Sequence, residues 1–369
     1  MTQQLRILIV EDDESAIEAY EDSVEEFNDN CEDNVEIQLS IKTTLDEAVN
    51  AIVEESFDGA IIDLNLDAGN ANLASGNEVI RQVYKKHRFP LKIVSGNLAN
   101  LDPLFEEEGS SFLRCHDREV ENNTLFQDFL TLYKTGITKI LGRRGELEAY
   151  LSEVFWKHLA SDIEDWSRDG ITEQILLRYT LAHLNEYLDR SQALYDGREF
   201  YIKPPIQNHI ATGDVVRNNE GKIFLVVSPA CDVAPRSVDG DVPEINAKVI
   251  ILCPAIKIDR QSWLESSLLS NGDGRRQIES KLDKIIKNQN PKHHFMPEHG
   301  DLPATVTDFQ NIEVCTIEQY VTFERVATVA VPFMKDIQAR FVAYLGRQGQ
   351  PDLDKRGLKD RYSPNLRGG

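Results

Sequence analysis

The chain has 369 residues, which is more than one typical domain, so about two or three domains are expected. Its 41% hydrophobic and 28% charged residues are typical of a globular protein. The formal net charge of −22, from 40 Lys and Arg against 62 Asp and Glu, argues against DNA binding, because phosphate binding requires a basic surface. The sequence contains no apolar run of membrane-spanning length and no signal peptide, which predicts a cytoplasmic location away from membranes.

Two short apolar runs in the first third of the chain each end at carboxylates. Residues 7–10 are followed by Glu11 and Asp12, and residues 59–62 are followed by Asp63. A buried parallel strand of an open α/β sheet presents such side chains at its carboxyl edge, where sites form. Three carboxylates gathered there repel one another unless a cation lies among them. Mg²⁺, which prefers oxygen ligands, is the expected occupant.

The first 133 residues alternate between strand patterns and helix patterns. After the first strand, residues 14–27 carry apolar side chains at helical spacing, and residues 35–41 alternate as a second strand. The remaining predicted elements are helices over 45–55, 78–87 and 101–108 and strands at 59–63, 93–96 and 110–116. Five strands that alternate with helices predict a flavodoxin-like, doubly wound parallel sheet.

This arrangement resembles the receiver domain of bacterial two-component response regulators, over about residues 5–133. The resemblance implies that Asp63 accepts a phosphoryl group from a sensor histidine kinase. It also implies that Glu11 and Asp12 hold Mg²⁺ together with Asp63, and that the backbone carbonyl of Asn65 completes the metal shell.

Two further positions match the receiver pattern, and one departs from it. Ser95, in the predicted fourth strand, falls at the switch hydroxyl, and Phe112, in the fifth, falls at the switch aromatic. The Lys-Pro pair of receivers falls on Cys115 and His116, so Cys115 replaces the Lys whose ammonium binds the phosphoryl oxygens. The adjacent Arg114 is expected to point to the other face, because side chains alternate along a strand. This departure implies weaker stabilisation of an aspartyl phosphate.

Residues 134–204 are predicted to be a helical connector. Residues 147–166 and 172–189 each carry an apolar stripe at helical spacing, and together they predict a helical hairpin. An apolar stripe needs a partner surface. The hairpin therefore packs either on the flanking domains or on a second copy of the chain, as a homodimer.

Residues 205–346 are predicted to form a β-rich output domain. Residues 210–216 and 223–229 are β-branched runs on either side of a polar, Gly-containing turn, which indicates a hairpin. Further strands are predicted at 247–253, 304–307 and 311–316, and helices at 276–287 and 332–345. These elements suggest a small, partly open, SH3-like barrel within an α+β domain. The tail, 347–369, is rich in Gly, Pro and charge and is expected to be loosely ordered.

One local feature of this region is the Gly-Asp-Val-Val sequence at 213–216. It is similar to the start of the SH3-like barrels of toxin ribonucleases. By that resemblance, Arg217 and Ser228 would supply the basic group and the hydroxyl of an RNA-cleaving site.

A second local feature is Cys231 beside Asp232. This Cys could be a nucleophile or a metal ligand, or it could be a buried Cys next to a turn-forming Asp. Its candidate partners are His293, His294, His299, Cys253 and Cys315, and the His pair at 293–294 is predicted to lie in a loop. The five Cys residues show no Cys-x-x-Cys spacing, and an adjacent Asp raises the pKa of a thiol. These points favour the structural interpretation and reduced thiols.

The sequence thus predicts an atypical response regulator, whose one enzymatic step is transfer of a phosphoryl group to its own Asp63. A phosphate sink or a pseudo-receiver docking protein without output remains an alternative hypothesis. A receiver-controlled, nuclease-like effector, acting in phage defence, is another. No helix-turn-helix pattern or basic recognition helix is visible in the sequence, which disfavours DNA-binding output.

Overall fold

The computed structural model describes residues 2–66, 76–105, 111–167, 170, 172–188, 194–236, 245–349 and 352–363. The chain divides into two compact units, Met1–Gln192 and Ala193–Gly369. In the part of the chain described, no helix has the length and apolar character needed to cross a bilayer.

The N-terminal unit contains a parallel sheet of five strands in the order β2-β1-β3-β4-β5. The strands are β1 (Gln3–Val10), β2 (Val35–Lys42), β3 (Gly59–Ile62), β4 (Leu91–Val94) and β5 (Leu113–His116). This order is that of the flavodoxin-like fold, so the predicted fold class is confirmed. Val10 pairs with Ile62, which brings the residues that follow both strands to the same edge of the sheet.

Helices cover both faces of this sheet. They are α1 (Glu14–Asn30), α2 (Leu45–Glu54), α3 (Gly76–Lys86) and α4 (Asn122–Lys134). Leu8 and Ile62 join the core that includes buried residues of α2 and α3, whereas Ile7 and Ile61 join the core that includes α1 and α4. The predicted helix over 101–108 is instead a pair of short 3₁₀ turns, Leu98–Asn100 and Pro103–Phe105, and residues 106–110 lie outside the described residues.

The rest of this unit is helical. Its helices are α5 (Ile137–Leu141), α6 (Glu146–Val154), α7 (Ile163–Trp166) and α8 (Glu173–Leu188). The predicted single helix over 147–166 is interrupted by a π-type turn at Phe155–Leu159, which widens the helix and rotates the apolar stripe that follows. His158 contacts the hydroxyl of Tyr187 at 3.0 Å, so the two arms of the hairpin meet through side chains.

The C-terminal unit is built on an antiparallel sheet. Its strands follow the path β10-β11-β9-β8-β7-β13-β6, and β12 pairs with β9. They are β6 (Tyr201–Ile202), β7 (Asp214–Arg217), β8 (Ile223–Val226), β9 (Ile250–Lys257), β10 (His293–Met296), β11 (Thr305–Asp308), β12 (Glu313–Cys315) and β13 (Glu324–Val329). The β-rich character of the region and the β7–β8 hairpin are confirmed.

Helices complete the C-terminal unit. They are α9 (Ala230–Val233), α10 (Arg260–Glu265), α11 (Arg275–Ile286), α12 (Ile317–Tyr320), α13 (Val331–Leu345) and α14 (Lys355–Tyr362). α13 inserts Met334, Ile337 and Phe341 into the main core of the sheet. The tail predicted to be loosely ordered contains α14, and Asp354 caps this helix by accepting a hydrogen bond from the backbone N–H of Gly357 at 3.0 Å. The loose ordering of the tail remains a prediction.

Candidate functional site

The three carboxylates predicted from the strand ends meet at one edge of the parallel sheet. Oxygen atoms of Glu11, Asp12 and Asp63 lie within 4.8 Å of one another. The backbone N–H of Asp63 donates to Val10 at 2.9 Å, and that of Glu11 donates to Lys42 at 3.1 Å, so the sheet ladder continues into the site and fixes both residues. Within the described ranges, this is the one cluster of acids, His or Cys that could hold a metal ion.

Burial sets the electrostatics of this acid pocket. Asp63 is 1% exposed and Glu11 is 4% exposed. Burial raises the pKa of Glu11 to about 7, and the nearby Asp63 charge adds to this effect against a backbone hydrogen bond from Asp13. Asp63 Oδ1 is buried and accepts no hydrogen bond from any described residue. An unsatisfied carboxylate oxygen among three acids fits a hard divalent cation such as Mg²⁺.

The sequence interpretation missed a cation that enters this pocket. Arg118 Nη2 donates to Asp63 Oδ2 at 2.6 Å and lies 3.5 Å from Glu11 Oε1. Its Nη1 lies 3.9 Å from Asp13 Oδ2, and Asp13 caps α1. Arg118 follows β5 by two residues, so it is on a loop. Side-chain alternation predicts directions only for residues within the strand, such as Arg114, and it therefore could not predict the position of Arg118.

Ser95 lies at the same edge of the sheet as the acids. It follows β4 directly, it is 1% exposed, and its hydroxyl has no hydrogen-bond partner among the described residues. Asn65 lies two residues beyond Asp63, and its side-chain oxygen is also buried without a partner in the described part of the chain. The metal-binding role of the Asn65 backbone carbonyl remains a prediction.

Phe112 lies at the amino-terminal end of β5, whereas the acids lie at the carboxyl ends of the strands. It directly precedes β5, whereas Ser95 is level with the residue after His116, because Val94 pairs with His116. Five positions along a strand separate the two backbones by roughly 16 Å. Phe112 also lines a cavity of about 380 Å³ with residues of α3 and α5. Coupling between Ser95 and Phe112 therefore remains a prediction.

The strand position expected to carry a Lys is occupied by an exposed Cys115, which pairs with Ile93. Arg114 is directed away from the acid pocket, since its Nη1 lies 3.6 Å from Asp128 on α4. Arg118 is thus the basic side chain that the structure brings to the carboxylates.

In the C-terminal unit, the Gly-Asp-Val-Val sequence has a structural role. Asp214 is fully buried and accepts hydrogen bonds from the hydroxyls of Tyr320 and Thr328 at 2.9 and 2.8 Å, and from Arg325 Nε at 3.0 Å. These bonds join β7, α12 and β13.

The two residues nominated for RNA cleavage are not brought together. Arg217 pairs with Ile223 beside the hairpin turn, whereas Ser228 lies beyond Val226 at the other end of β8. Arg217 forms ion pairs with Asp301 and Glu324. The Ser228 hydroxyl is buried and accepts a hydrogen bond from the backbone N–H of Ile251 at 2.7 Å.

The Cys and His residues of this unit are dispersed. Cys231 is exposed on α9, so the expectation of a buried Cys is wrong, because the short helix turns its side chain toward solvent. Cys253 and Cys315 are buried in separate cores, and burial raises the pKa of Cys253 to about 12. His299 forms an isolated bridge with Leu302.

The predicted loop at 293–294 is wrong. Both His residues belong to β10, where they pair in an antiparallel register with Asp308 and Thr307 of β11. The strand forms because β10 pairs with β11, which comes later in the chain, and the residues around 293–294 do not by themselves indicate that pairing.

Solved structures of response regulators align with about a third of this chain at low sequence identity. A CheY-like response regulator receiver domain protein from Methanospirillum hungatei is 20% identical, with 36% of this chain and 96% of that chain covered at a TM-score of 0.28. The response regulator TrrA from Thermotoga maritima, solved in complex with Mg²⁺ and BeF, is 18% identical over 35% and 97% of the two chains, at a TM-score of 0.25.

A two-component response regulator from Cytophaga hutchinsonii is 16% identical over 36% of this chain and 99% of that chain, at a TM-score of 0.28. No family model and no curated protein matches the chain. Independently of these comparisons, the parallel sheet of the N-terminal unit has the strand order of the flavodoxin-like class.

Proposed function

We propose that the protein is a cytoplasmic response regulator that accepts a phosphoryl group on Asp63 from a sensor histidine kinase. The observation that carries this proposal is the acid pocket, where Glu11, Asp12 and Asp63 converge within 4.8 Å and Asp63 Oδ1 has no hydrogen-bond partner in the described part of the chain. Glu11, Asp12, Asp63 and the backbone carbonyl of Asn65 would hold Mg²⁺. When bound, the ion neutralises the charge of the phosphoryl oxygens.

Asp63 and Ser95 have different roles in the proposed transfer. The Asp63 carboxylate attacks the phosphorus of a phosphohistidine in line, so that an O–P bond forms while the N–P bond breaks and the imidazole leaves to take a proton from water. The Ser95 hydroxyl, which has no partner among the described residues, is free to donate to the new phosphoryl group. Its movement, with Phe112 repacking in response, would shift a two-state equilibrium.

We propose that the helical hairpin carries the signal toward the C-terminal output unit and also forms a homodimer. Leu177, Leu181 and Leu188 of α8 are each more than half exposed, and so are Phe155 and Trp156. A second copy of the hairpin would bury these side chains.

Intact mass measurement tests the phosphoacceptor. The full chain is incubated with acetyl phosphate and Mg²⁺, alongside Asp63→Ala and the matched control Asp46→Ala, which alters an exposed Asp of α2. The wild type and Asp46→Ala should gain one phosphoryl group, and Asp63→Ala should gain none. A wild type that stays unlabelled while a known receiver domain is labelled would refute the proposal.

A second candidate is a phosphate sink or a pseudo-receiver docking protein, in either case without output. Cys115 at the Lys position and the ion pair between Arg118 and Asp63 favour it. This candidate, as a docking protein, predicts no phosphoryl mass on the wild type. The nuclease-like alternative has no comparable support, because Arg217 and Ser228 lie at opposite ends of their hairpin.

A further inference from the structure

Among the residues that the structure describes, Arg118 makes the closest charged contact to the proposed phosphoacceptor. Its Nη2 lies 2.6 Å from Asp63 Oδ2 and 3.5 Å from Glu11 Oε1. The side chain is 45% exposed while that of Asp63 is fully buried, so the guanidinium reaches the pocket from the solvent side. A phosphate donor would approach from the same side.

Local structure holds the Arg118 loop against the site. The backbone N–H of Ser95 donates to the carbonyl of His116 at 3.2 Å, which ties the end of β5 to the end of β4. The Arg118 side chain passes beside Gly96, where an added Cβ would lie 3.8 Å from Arg118 Cδ. Arg118 therefore enters the pocket next to the proposed switch hydroxyl.

The Arg118 guanidinium can bind the site both before and after Asp63 carries a phosphoryl group. A planar guanidinium offers several N–H donors and can bind a phosphoryl group through two of its oxygens. Before transfer it pairs with the carboxylates. After transfer, a phosphoryl group on Asp63 would place new oxygens where the guanidinium already lies.

We propose that Arg118 supplies the phosphoryl-binding cation that Cys115 cannot provide, and that it competes with the divalent cation for the same acids before transfer. The inference rests on the proposed function, because it needs a phosphoryl group on Asp63. It predicts opposite effects of one substitution. Loss of Arg118 strengthens Mg²⁺ binding, since a like charge is removed, and weakens retention of the phosphoryl group, since its donor is removed.

The test compares Arg118→Ala with the conservative Arg118→Lys and with the double variant Cys115→Lys/Arg118→Ala. Arg114→Ala is the matched control, because Arg114 is basic, lies on β5 and contacts Asp128 instead of the acid pocket. Mg²⁺ dissociation constants are measured by calorimetry. After treatment with acetyl phosphate and removal of the donor, the loss of the phosphoryl group over time is followed by intact mass.

Arg118→Ala should bind Mg²⁺ several-fold more tightly and lose the phosphoryl group roughly tenfold faster, as expected for a charge-assisted hydrogen bond. Arg118→Lys should lie between the wild type and Arg118→Ala in both Mg²⁺ affinity and phosphoryl retention. The double variant Cys115→Lys/Arg118→Ala should recover phosphoryl retention, and Arg114→Ala should match the wild type. If Arg118→Ala retains the phosphoryl group as the wild type does, or if it binds Mg²⁺ more weakly and also loses the phosphoryl group faster, the inference is overturned. An unlabelled wild type would instead refute the proposed function, and the inference with it.

Discussion

The ammonium of Lys92 lies 2.8 Å from the carboxylate of Asp128 and is buried, with 1% of its side chain exposed. Lys92 is on β4, and its Nζ lies 5.8 Å from the centre of the Phe129 ring on α4. A buried ammonium needs a paired charge, because transferring it out of water is costly. This pair therefore couples α4 to β4 of the sheet.

Asp128→Ala should lower the free energy of unfolding by about 3 kcal/mol, because it leaves a buried charge unpaired. Urea unfolding followed by circular dichroism measures the change. The double variant Lys92→Met/Asp128→Ala should recover most of the loss, since no charge then remains buried. Asp33→Ala, which breaks the exposed pair with Lys134, is the control, and equal losses in it and in Asp128→Ala would contradict the account.

Asp214→Ala should destabilise the C-terminal unit by about 3 kcal/mol, because it leaves Tyr320 and Arg325 without their buried acceptor. Unfolding followed by the fluorescence of the buried Trp263 measures this loss. The control Asp283→Ala removes only an exposed pair with Lys287 and should cost less than about 0.5 kcal/mol. A stable Asp214→Ala would show that β7, α12 and β13 do not depend on this carboxylate.

Glu11 should make stability depend on pH. Its folded-state pKa is raised from 4.5 to about 7, so the folded protein retains a proton that the unfolded chain releases. The resulting stabilisation is complete below about pH 4.5 and is lost as the pH rises through 7. It amounts to about 3 kcal/mol at most.

Unfolding of the wild type and of Glu11→Gln at pH 5 and pH 8, without divalent cations, checks this dependence. The wild type should lose stability relative to Glu11→Gln between the two pH values, and Mg²⁺ should remove most of that loss by binding the carboxylate. A difference between the two proteins that is independent of pH would contradict the assignment.

The part of the site that sequence could predict is the part fixed by strand ends. Glu11 and Asp63 each follow an apolar run, and the alternation of strands and helices requires such ends to share one edge of the sheet. Arg118 could not be predicted in this way, because it lies on a loop whose path depends on how β5 is tied to β4.

The same distinction explains the C-terminal unit. The β7–β8 hairpin was predictable because its two strands are close in sequence and a Gly-containing turn joins them. β13 (Glu324–Val329) pairs with β7 across more than a hundred residues, and no local pattern encodes that partner. The helix predicted over 147–166 is interrupted by a π-type turn at Phe155–Leu159, which the apolar spacing of the sequence did not predict.

The position of the phosphoryl group is the most direct test of the central claim that Asp63 accepts it. The full chain is treated with acetyl phosphate and Mg²⁺ and digested, and its peptides are sequenced by mass spectrometry. We predict one phosphoryl group, located on Asp63 and absent when the metal is chelated. A phosphoryl group on another residue, or none while a known receiver domain is labelled in parallel, would contradict the account.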